Sequence, residues 1–167
     1  YKAGNNLIIL KDLKFDHDKK IKSFELNKIK TSEGNKEKNS FDIKFGDTIS
    51  ILGSKYDATN LIKIINEKKN SNLFKLLNNK VSIKIDNINT RLSTNLRQFS
   101  LIGELEKGEF IKITSKGKFF ADKYLDIMLK KNKINGLKYL EVFSDLPEPI
   151  LSDYKFFKGI QGGKLLF

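Results

Sequence analysis

The sequence predicts an α/β fold, on three observations. Residues 6–52 hold four short strand candidates separated by charged or glycine-containing stretches. Phe41 to Ile65, FDIKFGDTISILGSKYDATNLIKII, then reads as strand, turn, strand, loop and helix in succession. Beyond Phe119 the apolar residues fall at helical spacing.

In chain order, Asn6–Leu13 (NLIILKDL) is a strand candidate and Lys14–Lys20 (KFDHDKK) a charged turn. Ile21–Ile29 alternates polar and apolar residues as an edge strand does. Thr31–Ser40 (TSEGNKEKNS) is polar and contains glycine, which predicts a loop. Phe41–Phe45 and Thr48–Leu52 are strands around a turn at Gly46-Asp47, completing a small antiparallel β region. A loop opens at Gly53, and a helix is predicted from about Thr59 through Leu61-Ile62 and Ile64-Ile65. Glu67–Asn72 (EKKNSN) stops it, and the next apolar cluster, up to Leu77, forms a separate short helix or turn.

Val81–Ile85 (VSIKI) alternates as a strand, Asp86–Asn95 is a polar loop, and Leu96–Leu105 and Phe110–Ile113 are further strand candidates. Phe119–Leu129 (FFADKYLDIML) and Leu137–Phe143 (LKYLEVF) are predicted helices. Pro147 and Pro149 end the second one. Tyr154–Ile160 is a short helix or loop ahead of Gly162-Gly163. The division is a β-rich core over residues 1–115 and a helical subdomain over 116–167.

The chain has 167 residues, enough for one domain with a real core. Its 32 Lys and Arg against 20 Asp and Glu give a net charge of +12. A phosphate-rich partner, nucleic acid or an anionic membrane surface, is one explanation. General compositional bias is the other, favoured by lysines spread along the whole chain and by arginine only at Arg91 and Arg97. Cysteine is absent, which excludes disulfides and thiolate metal sites and fits a reducing compartment. No apolar run approaches the roughly 18 residues that cross a bilayer, so no segment inserts into a membrane unaided.

Strand, glycine, loop and helix is the layout of a phosphate-binding loop. Such a loop needs further glycines, a lysine for the β/γ oxygens and a Ser or Thr for magnesium. Here it reads Gly53-Ser54-Lys55-Tyr56-Asp57-Ala58-Thr59-Asn60, and only Gly53 fits. Thr59 or Ala58 stands where the lysine belongs, and Asp57 brings negative charge toward the phosphate position. Elsewhere, Asp16-His17-Asp18 is a solvated turn rather than a metal site, and with His17 the only histidine no nucleophilic triad can be assembled. Phe119, Phe120, Tyr124, Phe143, Tyr154, Phe156 and Phe157 can stack bases on a basic groove, but their spacing favours core and helix packing. Lys116-Gly117-Lys118 is a candidate phosphate contact and equally a common turn.

Taken together, the order of segments resembles the ATP-binding subunit of ABC transporters, most closely that of oligopeptide importers. LIILKDLKF resembles the family's first strand, FDIKFGDTISILG its lead into the Walker A loop, LIKII the following helix, and VSIKIDNIN a later strand. LIGEL lies where the strand before the Q-loop falls, and LEVFSDLPEPILSDYKFFKGIQGGK resembles the helical subdomain and signature segment. The resemblance implies a P-loop fold whose C-terminal half, with Walker B, is absent.

It also implies a degenerate nucleotide site at Gly53, Ser54, Lys55, Thr59 and Asn60, with His17 near the adenine-stacking position. Gln161, Gly162 and Gly163 would face a partner's nucleotide. The expected function is a non-catalytic subunit, with no catalytic residue and at most weak binding of ATP and magnesium. Its partners would be a membrane permease or a second ATPase subunit, at the inner face of the cell membrane. A basic adaptor that binds RNA, ribosome or another acidic partner is the alternative, with the likeness accidental.

Overall fold

Strand alternation runs much further along the chain than the helical reading allows. In the computed structural model, which describes residues 1–19, 21–60, 77–90, 95–147 and 165–166, every regular element is a β-strand. The elements are β1 (Lys2–Ala3), β2 (Asn6–Phe15), β3 (Ile21–Glu33), β4 (Lys36–Phe45), β5 (Thr48–Asp57) and β6 (Lys80–Asn89). They continue as β7 (Asn95–Glu106), β8 (Glu109–Lys118), β9 (Tyr124–Lys131), β10 (Lys138–Ser144) and β11 (Leu165–Leu166). They form one sheet in strict sequence order, each strand beside the next. Every neighbouring pair is antiparallel except β5 and β6, which run parallel.

The predicted α/β P-loop architecture with a helical subdomain is therefore corrected to an all-β sheet among the described residues. Phe119–Leu129 and Leu137–Phe143 are not helices. Leu125, Ile127 and Leu129 alternate with Asp126, Met128 and Lys130 in β9, and Leu140 and Val142 alternate with Tyr139 and Glu141 in β10. These strands pair over seven positions, so cross-strand packing overrides local helical spacing. Ala121 and Asp122, both at φ 53°, turn the chain into β9 and close the helical option there.

Two predicted loops are also strand. Thr31–Ser40 is a hairpin that turns tightly at Gly34-Asn35, with Glu33 paired to Lys36. Asp86–Asn95 is strand up to Asn89. The helix expected over residues 61–65, the cluster at 73–76 and the segment 154–160 lie outside the described residues.

The pairing lines up one apolar face. Leu26, Ile43, Ile51, Ile83, Leu101, Ser115, Ile127 and Val142 are successive cross-strand neighbours from β3 to β10. The core sits on this face in the C-terminal half, where Ile85, Ile88, Leu96, Phe119, Leu125 and Val142 form one buried cluster. Burying each such side chain contributes about 1.5–3 kcal/mol. From β1 to β5 none of the described residues is buried, and the strands stand between half-exposed and exposed.

Close packing explains two glycines. A Cβ on Gly53 would overlap the Cβ of Phe41 and stand 2.6 Å from the Ser40 carbonyl oxygen, where the β4–β5 register shifts. A Cβ on Gly117 would come within 2.7 Å of a Leu96 methyl. Gly53 leaves room for the β4 backbone, and Gly117 for the Leu96 side chain.

Candidate anion-binding face

The face opposite the core carries the charge. On β6, Lys80, Ser82 and Lys84 point to this side, since Val81, Ile83 and Ile85 point to the other. Ser82 pairs with Ile102, and Ile102 with Thr114, while Lys80 pairs with Glu104, and Glu104 with Lys112. Lys84 pairs with Ser100, and Ser100 with Lys116. Lys80, Lys84, Lys112 and Lys116 thus stand at the corners of a rectangle about 10 Å across and about 13 Å along the strands. Ile102, 69% exposed, lies at its centre, and Leu52, 51% exposed, lies beside Lys84. Those exposures show that this face is open to solvent.

The rectangle is unevenly charged. Glu104 lies between Lys80 and Lys112 and pairs with Lys112 at 3.7 Å. The Lys84–Ser100–Lys116 edge has only a hydroxyl in that position. Lys84 and Lys116 carry no ion pair among the described residues, although Asp126 on β9 is the cross-strand neighbour of Lys116 on its other side. The basic surface continues through the Arg97–Lys118 pair and, next to Lys112, through Lys130. Lys118 places its Nζ 5.5 Å from the centre of the Tyr124 ring. Beside Lys112 and Lys130 an open cleft of about 570 Å³ is also lined by Lys131, Lys133 and Asn132. There Glu106 pairs with Lys131 at 2.5 Å, and this hydrogen-bonded charge holds the Glu106 carboxyl below the ordinary range.

The residues expected to cradle a nucleotide are arranged differently. Gly53, Ser54 and Lys55 lie within β5, paired with β4 and β6, so no loop opens at Gly53. A strand's amides are spent on its neighbours and cannot converge on a phosphate. Thr59 and Asn60 follow in a turn. Thr59 donates from its amide (3.1 Å) and hydroxyl (2.7 Å) to one Asp57 oxygen, and Lys38 Nζ lies 3.3 Å from the other. Asn39 accepts from the Asp57 amide at 2.8 Å. Burial pushes the Asp57 carboxyl up, but Thr59 and then Lys38 outweigh it and hold the pKa below the ordinary value. This is a satisfied strand terminus.

His17 is exposed in the turn after β2, with β3 and β4 intervening before β5, so it is not brought to Gly53. Gln161, Gly162 and Gly163 lie outside the described residues, as do Tyr154, Phe156 and Phe157. Of the other aromatics, Phe119 is buried in the core while Tyr124 is 42% exposed on the charged face. Lys116 and Lys118 lie on strand β8, not in a turn, and Gly117 serves the packing of Leu96.

Sequence reasoning singled out Lys116 but not Lys80, Lys84 or Lys112, and so missed the lysine rectangle. The signal was present in VSIKI and in FIKITSKGK, where lysine alternates with apolar or small residues, but the register that joins them is not written in either segment. Among the described residues no cluster of His, Asp and Glu fits a metal, and no helix is long and apolar enough to cross a membrane. Comparison of the chain with known protein families, curated proteins and solved structures gives no match.

Proposed function

We propose that the chain is a polyanion-binding module that holds a phosphate-rich or otherwise acidic partner against the polar face of its sheet. The observation that carries this reading is the rectangle of Lys80, Lys84, Lys112 and Lys116 around exposed Ile102, fixed in place by backbone pairing of β6, β7 and β8. Lysine is a point charge that neutralises phosphate without demanding one geometry. Serine and threonine between the lysines (Ser82, Ser100 and Thr114) add hydroxyl donors at the same level. A rigid scaffold lowers the entropy lost when such a surface is occupied.

The test is fluorescence anisotropy with a labelled 12-nucleotide single strand and with labelled heparin, at low and at physiological salt. Binding that weakens steeply with salt, and weakens further when Lys84 and Lys116 are changed to glutamine, supports the reading. Changing Lys22 and Lys36, exposed lysines on the N-terminal hairpins, is the control. If neither polyanion binds, or the control pair matters as much as Lys84 and Lys116, the reading fails.

A further inference from the structure

We infer that the polyanion is a single-stranded nucleic acid, a proposal that rests on the reading above and narrows it. The polar face does not carry lysine alone. It carries exposed apolar or ring surfaces, each set beside a cation. Ile102 is 69% exposed among the four lysines. Tyr124, 42% exposed, pairs across the strands with Lys118, whose Nζ is 5.5 Å from its ring centre. Tyr139, 53% exposed, pairs with Lys130.

All three surfaces belong to one face. Tyr124 precedes buried Leu125, and Tyr139 lies between two residues of opposite orientation in a strand where Leu140 pairs with Leu129. Across the strands, β7 is followed by β8, β9 and β10 in that order. The platforms are therefore spread over a width of about 15 Å, at strand spacings of roughly 4.8 Å.

A single strand is a repeat of one phosphate and one flat base. A surface that alternates a cation with an exposed ring or isoleucine matches both halves of that repeat, with bases stacked and phosphates neutralised. A duplex hides its base planes in its own stack and offers only phosphates to a surface of this kind. A sulfated polysaccharide or an acidic peptide uses the lysines but has no planar group for Tyr124 and Tyr139. The hydroxyls of Ser82, Ser100 and Thr114 accommodate phosphate or sugar oxygens without selecting a base, so sequence preference is weak.

The experiment measures anisotropy of a labelled 12-nucleotide single strand, the same sequence as a duplex, heparin and poly-glutamate, all at one salt concentration. The single strand binds at least about tenfold more tightly than the duplex. Tyr124→Ala and Tyr139→Ala each weaken it roughly fivefold or more, within the range known for base–aromatic stacking, and leave heparin unchanged. Tyr124→Phe and Tyr139→Phe retain binding, because the ring rather than the hydroxyl is used. Circular dichroism melting confirms that each variant folds. Duplex, heparin or poly-glutamate binding as tightly as the single strand, or folded tyrosine variants with unchanged affinity, overturns this inference while leaving the polyanion reading intact. Failure of every probe to bind overturns both.

Discussion

Lys84 and Lys116 stand on either side of Ser100, each one strand away from it, on the same open face of the sheet. Two like charges at this separation repel by less than 1 kcal/mol in water, and salt reduces that further. The backbone ladder holds them there at little cost. An anion between them removes the repulsion and gains two attractions.

Glu104 occupies the equivalent place between Lys80 and Lys112, and on the proposed reading its charge opposes an anion there. Glu104→Gln removes that charge without changing the side chain's shape. Affinity for a 12-nucleotide single strand is expected to rise a few fold at low salt, and anisotropy titration reads it directly. The effect shrinks as salt is raised.

Gly53 serves strand packing, so Gly53→Ala is expected to destabilise the fold. Its Cβ would press on Phe41 and Ser40, and overpacking of this kind costs about 1–3 kcal/mol. Urea unfolding should show a lower midpoint with an unchanged slope. A glycine kept only for a phosphate loop would leave stability unaltered.

Asp57 gives a pH signature. Its folded pKa is depressed, so its contribution to stability is present above the unfolded value, about 3.9, and is lost as pH falls through the folded value. Asp57→Asn is therefore expected to melt below the unsubstituted protein at pH 7, and the difference should close in strongly acidic buffer. Lys38 works at the other end. Its pKa is raised, first by Glu33 and then by Asp57, so its contribution is present at neutral pH and fades as pH climbs above its ordinary value. Melting curves across pH check both signs.

Two buried serines make opposite predictions. Ser144 is wholly buried, and its hydroxyl donates to the Leu146 carbonyl at 2.8 Å and accepts from the Leu146 amide at 3.1 Å. Ser144→Ala is expected to cost about 1–3 kcal/mol, since it leaves those backbone groups short of a partner. The Ser115 hydroxyl is nearly as enclosed and has no hydrogen-bond partner among the described residues. Ser115→Ala removes a desolvated group and should be neutral or stabilising by about 1 kcal/mol. Chemical denaturation of the two variants decides it.

The antiparallel start of the chain was legible because its segments alternate and are punctuated by turn residues. The turn at Gly46-Asp47 and the strand VSIKI follow the same rule. The C-terminal half was misread because YLDIML and KYLEVF satisfy two periods at once. Apolar residues three and four apart suit a helix, while the same segments alternate in and out when β9 pairs with β8 and β10 with β9. Only the partner strand decides between them, and the partner is not local. Gly53 misled for a related reason. A glycine after an apolar strand marks close backbone approach, and sequence alone does not say whether phosphate or Phe41 does the approaching. The lysine rectangle was invisible because its four corners come from two strands that are joined only by the register of β7.

The most direct test replaces Lys80, Lys84, Lys112 and Lys116 together with glutamine and measures single-strand binding across a range of salt concentrations. The four phosphates neutralised at the rectangle contribute about −3 to the slope of log affinity against log salt, at about −0.7 per contact. With all four lysines replaced, the slope should lose about that much, leaving only what Arg97, Lys118 and Lys130 supply, and affinity at low salt should fall steeply. A folded quadruple variant that keeps both the affinity and the slope would contradict the account.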